Sequence, residues 1–205
     1  MQNKSISLLG AGGLANEAIG WIVQCGYDVE YLYDSTVIED KKLYKKSRAY
    51  TISSTYRKNT PYIIAVGYAD TKDKIVQSIH ETLILSEPII HPWCIMGDNI
   101  NIENGSIIWP TVCLTCNVYI DKLATINSQV TIGHDCRIGQ MFHASPGVSV
   151  SGNVTIGDRV FMGANSCIRE KITICNDVLI GAGSVVIKDI TEPGVYAGNP
   201  AVKIK

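Results

Sequence analysis

The sequence predicts two architectures in series, a small α/β unit followed by an all-β solenoid, and three observations carry that reading. Near the amino terminus a glycine turn, GAGGLA, joins a short apolar run to a helical pattern. The hydrophobic periodicity then changes completely around residue 91. From there to residue 186 an aliphatic or small apolar side chain returns at every sixth position without a break.

In the first part, Ile6 to Leu9 reads as a strand, and Gly10, Gly12 and Ala15 form a G-x-G-x-x-A turn. Ala18, Ile19, Ile22 and Val23 mark one face of a helix that ends near Cys25 and Gly26. Val29 to Tyr33 reads as a second strand with Asp34 at its carboxyl end, and the basic stretch KKLYKKSR that follows has little pattern. Tyr62 to Val66 is a third strand ending at Gly67, and residues 70–83 carry a helical pattern through Ile75, Ile79 and Leu83. This alternation predicts a small, parallel, Rossmann-like domain over residues 1–84. So short a unit is too small for a complete dinucleotide fold, so NAD is not expected.

In the second part, residues 91–205, the six-residue count runs Met96, Ile102, Ile108, Leu114, Ile120, Ile126 and onward through Ile132, Ile138 and Ala144 to Val186. Two residues before each lies a small or β-branched side chain in most cases, and side chains two apart on a strand share a face. Six does not fit a helix of 3.6 residues per turn. Three short strands per coil do fit it, which predicts a parallel β-helix of hexapeptide repeats with about five coils. Glycine follows the aliphatic site at 97, 133, 139, 157, 163 and 181, where it is expected to supply the freedom that a tight corner needs.

Charge and cysteine content narrow the partners. Eighteen basic residues against nineteen acidic ones give a formal charge of −1, which offers nucleic acid or an anionic membrane no attractive surface. No apolar run reaches the length of a membrane span, and the start MQNKSISLLGAGG lacks the form of a signal peptide. Seven irregularly spaced cysteines argue for reduced thiols and a cytoplasmic protein. Cys113 and Cys116 form a CxxC pair without further ligands at zinc-site spacing, so no metal is expected.

The combination of glycine-loop unit, hexapeptide β-helix and a His-Asp pair in TIGHDCRIG resembles the sugar acetyltransferases of the sialic acid O-acetyltransferase and bacillosamine or viosamine N-acetyltransferase type. The resemblance runs from LLGAGGLANEA through AVGYADTKDKI and SPGVSVSGNVTIGD to the closing AGNPAVKI. It implies a left-handed β-helix and a homotrimer, with acetyl-CoA lying in the groove between neighbouring solenoids. A nucleotide sugar, UDP-, dTDP- or GDP-linked, would reach in from the amino-terminal unit.

Residue by residue, the resemblance makes His134 the general base and Asp135 the carboxylate that orients it. Imidazole titrates near neutral pH, which suits removal of a proton from an attacking amine or hydroxyl. His143 matches a second active-site histidine, and Asn127 a residue near the acceptor. Gly152 matches the amide that stabilises the oxyanion, and Ala164 and Ala182 match main-chain contacts to the pantetheine arm. Gly10, Gly12 and Gly13 would lie near the diphosphate, where N–H groups at a helix start favour anions. Asp34 and Gly67 would lie near the nucleoside. His91 and His80 are read as a structural and a solvated residue. The spacing of 91, 134 and 143 does not match the zinc carbonic anhydrases built on the same solenoid.

The sequence departs from the aminosugar enzymes at Leu14, where they commonly carry histidine, and at the following Ala15. The expected activity is transfer of acetyl from acetyl-CoA to the 4-amino group of a nucleotide-linked amino-deoxysugar, as in surface polysaccharide or glycan precursor synthesis. Acetylation of a sugar hydroxyl, as on sialic acid, and a non-catalytic scaffold that binds a sugar nucleotide are the alternatives.

Overall fold

The computed structural model describes residues 4–33, 41–45, 48–53, 60–79 and 84–205, with the side chains of 41–45, 48–53 and 79 left aside. The amino-terminal unit runs β1 (Lys4–Leu9), α1 (Gly13–Gln24), β2 (Tyr27–Tyr33), β3 (Lys41–Lys45), β4 (Arg48–Ser53), β5 (Pro61–Ile64), α2 (Ala69–Ile79) and β6 (Ile84–Leu85). Its sheet has the order β3-β4-β2-β1-β5-β6. All neighbours are parallel except β3 and β4, which are antiparallel. KKLYKKSR, nearly featureless in the sequence, supplies β3 and the first residue of β4. As the outermost strand of its sheet, β3 needs no alternating pattern. On α1 the buried residues are Ala15, Ala18, Ile19 and Ile22, the spacing that faces a helix onto a sheet. The helix closes where Cys25 N–H reaches the carbonyls of Trp21 and Ile22. Asp34, His80 and Leu83 lie outside the described residues.

The solenoid begins at Ile89 and has three faces. Strands Ile89–Ile90, Ile107–Ile108, Thr125–Ile126, His143–Ala144, Phe161–Met162 and Val178–Ile180 stack as the first face. The second face is a six-stranded sheet starting at Ile95–Met96, and the third a five-stranded sheet starting at Ile100–Ile102. Each strand pairs in parallel with the one a coil away, as in Thr125↔His143 and Thr131↔Ser149. Six coils therefore form where the count from Met96 indicates five, because the first face has its first inward site at Ile90, six residues before that count begins. The inward row forms one continuous core from Ile108 to Ile190. Met96 is 37% exposed, since the first coil has no coil beneath it.

The corners differ from expectation in one respect. The glycines after the aliphatic site do not carry the left-handed backbone, which falls two residues later and returns every sixth residue from Asn99 to Asp177. Asn99, Asn117, Asp135, Asn153, Asn165 and Asp177 are among these positions, with φ between 54° and 60°. Asn and Asp tolerate that conformation better than most side chains. Glycine is needed at 133 for another reason. A Cβ there would lie 2.7 Å from Gly152 N and 2.8 Å from Ser151 C, so the next coil's main chain leaves no room for a side chain.

The two units pack directly. Ile89, Ile107 and Trp109 share a core with Ile6, Ile22 and Ile63, while Leu123 and Met141 share one with Tyr33, Tyr62 and Ile64. The outward row of the first face is thereby covered by the α/β unit.

Candidate active site

His134 and Asp135 form the corner between the second and third faces. His134 Nδ1 lies 2.8 Å from Asp135 Oδ2, and the two side chains are 57% and 47% exposed. A carboxylate only accepts, so Nδ1 carries the hydrogen and Nε2 is left as the acceptor. Asp135 is in turn held from below. Asn117 Nδ2 donates to Asp135 Oδ1 at 2.9 Å, and Asn99 Nδ2 donates to Asn117 Oδ1 at 2.9 Å. The hydrogen bonds from His134 and Asn117 hold the Asp135 carboxyl below its usual range. Residues 99, 117 and 135 are one coil apart, a ladder that the eighteen-residue count permits but that sequence reading did not single out.

Gly152 lies one coil above His134 on the same edge. A Cβ there would sit 2.5 Å from His134 Nε2 and 2.7 Å from Cε1, so the imidazole rests on a bare main chain. The carbonyl of Gly152 accepts the Lys171 N–H, whereas its own N–H meets no acceptor among the described residues. A proton acceptor and an uncommitted N–H thus stand side by side on one corner, the pairing that acyl transfer uses.

The remaining solenoid residues gather on a different edge. Asn127, Ala164 and Ala182 lie on the corner between the first and second faces, and His143 projects from the first face beside it. Asn127 Nδ2 donates to the Ala144 carbonyl at 3.0 Å and lies 3.5 Å from His143 Nε2. Ala164 O accepts Gly183 N–H at 2.8 Å, stacking these two corners closely. Within one chain the second face separates this group from His134, Asp135 and Gly152.

His143 points out of its flat side, as expected, yet it is only 7% exposed because the α/β unit covers it. Its ring stacks on Phe161 at 4.6 Å, and Phe161 stacks on Tyr68 at 5.4 Å. Gly67 comes so close that a Cβ would be 3.2 Å from His143 Cε1. Burial, aided by the nearby Lys72 charge, pushes the imidazole down to about 3, and its buried Nδ1 has no partner. Lys72, Tyr68 and Phe161 were not found from the sequence, since the contact that joins them is made by docking of the two units.

In the α/β unit Gly10 has φ 109° and lies against Ala65 and Val66, so only glycine fits. Gly12 and Gly13 open α1 with nothing within 4 Å of a Cβ position, leaving their main chain accessible at a helix start. Leu14 packs partly buried against the unit's core. His91 is 1% exposed, lies 3.3 Å from Gln24 and accepts the Trp93 N–H, a structural role.

Comparison with known proteins agrees with the fold. Residues 153–188 match the family described as the hexapeptide repeat of succinyl-transferase. GDP-perosamine N-acetyltransferase of Escherichia coli is 29% identical over 169 residues, which cover 78% of this chain and 75% of that protein. PerB of Caulobacter crescentus, solved with CoA and GDP-perosamine, superposes with a TM-score of 0.86 at 23% identity, covering 98% of this chain and 97% of that one. The acetyltransferase domain of PglB from Neisseria gonorrhoeae, solved with acetyl coenzyme A, gives 0.86 at 23% identity, covering 98% of this chain and all of that one (100%). Residues 153–188 thus carry the hexapeptide repeat found in transferases of that family. Over most of its length the chain is a relative of GDP-perosamine N-acetyltransferase.

Proposed function

We propose that this protein transfers acetyl from acetyl-CoA to the 4-amino group of a nucleotide-linked amino-deoxysugar, by direct attack with His134 as general base. The observation that carries the proposal is the His134–Asp135 contact of 2.8 Å, which leaves Nε2 free over Gly152. The substrate amine adds to the thioester carbonyl as Nε2 takes its proton, and Asp135 offsets the charge that forms on the imidazole. The carbonyl oxygen becomes an oxyanion within reach of the Gly152 N–H. Collapse expels the CoA thiolate, which recovers the proton from His134. Cys136, two residues on, is fully buried and donates to the Ser151 carbonyl, so it offers no covalent alternative.

The separation of the two residue groups supports assembly from more than one copy. His134, Asp135 and Gly152 of one protomer would face Asn127, His143, Ala164 and Ala182 of the next across a shared groove, as in a homotrimer, with the pantetheine arm lying along the small corners. The nucleotide diphosphate would rest on the open main chain of Gly12 and Gly13 beside Gly10, with Gly67 and Asp34 near the nucleoside. The named ligands of the relatives support this reading, since they are CoA and GDP-perosamine. No helix among the described residues is long and apolar enough to cross a membrane.

The test is thiol release from acetyl-CoA with UDP-, dTDP- and GDP-linked 4-aminosugars and with free sialic acid. Turnover with an aminosugar nucleotide is expected, falling by about 10²- to 10⁴-fold in His134→Ala. Turnover with sialic acid alone would reassign the acceptor to a hydroxyl. A fully active His134→Ala would remove the base from the mechanism, and an inert wild type would leave a binding scaffold.

A further inference from the structure

Lys72 is the described chain's most completely buried cation, 1% exposed, and no carboxylate pairs with it among the described residues. Its Nζ crosses from α2 into the solenoid, donating to the Leu123 carbonyl at 2.6 Å and to Thr125 Oγ1 at 3.0 Å. Thr125 is the direct strand partner of His143. At the other end, the main-chain N–H of Lys72 donates to the Tyr68 carbonyl at 3.1 Å. One residue therefore holds the Gly67–Tyr68 loop by its backbone and the coil beneath that loop by its side chain. Between these two attachments lies the His143 ring, with Gly67 against its edge and the Phe161 ring on its face.

A buried amine without a counter-ion is costly, and an apolar side chain of similar length would fill the same space without that penalty. We propose that Lys72 is a positioning residue that locks the Gly67–Tyr68 loop of the nucleotide-sugar unit onto the imidazole of His143, fixing that ring for acyl transfer. The proposal rests on the function given above. The titratable group that Lys72 faces across the interface is His143, and burial brings the lysine itself down to about 7. The lysine's charge adds to burial in keeping the imidazole neutral. With Nε2 turned toward the Asn127 amide, the proton then sits on Nδ1, the unpartnered atom beside Gly67. Held so, His143 is a fixed, neutral ring rather than a second base.

The test compares the full-length wild type with Lys72→Met, which keeps the stem and removes the donor, and with Lys72→Gln, which keeps a donor. Ring resonances of His143 are followed by NMR against pH, alongside thiol-release kinetics. In Lys72→Met the His143 signals are expected to shift and its titration to rise, staying below 6.5 because burial persists. The kcat is expected to fall about 10-fold or more as the ring loses its fixed position, with the KM for acetyl-CoA little changed. Lys72→Gln should recover part of the loss, and it carries the comparison if Lys72→Met does not fold. A folded variant whose His143 shifts and titration match the wild type overturns the proposal, as does one with unchanged kcat. If the wild type acetylates no nucleotide sugar, the functional reading fails by itself, and the ring titration still decides whether Lys72 positions His143.

Discussion

Replacing Gly152 by alanine perturbs the proposed base without removing any group that could take part in the reaction. The new methyl would lie 2.5 Å from His134 Nε2, 2.7 Å from Cε1 and 2.8 Å from Cδ2. Carbon and nitrogen approach to roughly 3.5 Å, so the ring must move by about 1 Å. His134 is 57% exposed and can swing toward solvent, so folding stability should change by no more than about 1 kcal/mol. The Gly152 N–H is retained, which separates ring position from oxyanion stabilisation. A misplacement of about 1 Å is expected to lower kcat about 10²-fold. The assay is thiol release at saturating acetyl-CoA, with thermal melting as the control and His134→Ala as the second arm of a double-mutant cycle. If Gly152→Ala acts through the imidazole, the double variant should be no slower than His134→Ala alone. Wild-type kcat in Gly152→Ala would refute the reasoning, and so would an undiminished further loss in the His134→Ala background.

Gly133→Ala should behave in the opposite way, because its methyl would meet main-chain atoms of the next coil at 2.7 and 2.8 Å. A loss of about 1–3 kcal/mol is expected, read as a lower melting temperature by circular dichroism; an unchanged melt would contradict the close-approach explanation. Asp135→Asn should lower kcat strongly, within the ~10²–10⁴-fold that a positioned base supplies, and leave melting nearly unaltered, as its side chain is half exposed. Equal activity would show that the carboxylate does not orient His134. Stability should also depend on pH through the two buried bases. Lys72 drops from 10.5 to about 7 and His143 from 6.5 to about 3, so each binds fewer protons folded than unfolded between those limits. Stability is therefore lost as pH falls from 10.5 toward 7 through Lys72, and again from 6.5 toward 3 through His143. Urea titrations at pH 7 and 9.5 should show a gain on the order of a few kcal/mol in the wild type and much less in Lys72→Met; parallel behaviour would exclude the lysine as its source.

Much of this was readable because a solenoid repeats one environment. Ile126, Ile132 and Ile138 occupy equivalent inward sites, so their common chemistry shows as a period. His134 and Gly152 came instead from the resemblance, and the structure adds that they stand one coil apart. The corners were harder to read. Left-handed backbone falls on Thr111, Leu123, Met141 and Lys171 as well as on Asn and Asp, and so diverse a set leaves no compositional mark. The glycines that did stand out answer to crowding by the next coil, a distance that no single strand reveals. Lys72 and Phe161 were silent for a further reason. Their significance depends on which flat side the α/β unit covers, and nothing in either local pattern states it. The edge strand in KKLYKKSR escaped because main-chain pairing along one side is enough to make an outer strand.

The stacked corners also set the lengths by which this chain can vary. Adding or deleting one residue between Asn99 and Asp177 would turn every later inward side chain toward solvent, whereas eighteen residues would enter as one whole extra layer. Where that layer goes matters. Inserted above Lys171 it would lengthen the prism and leave the His134 corner intact, but inserted between Asp135 and Gly152 it would lift the glycine away from the imidazole. Descendants of this gene that grow or shrink should therefore do so in multiples of one layer, and away from that single junction.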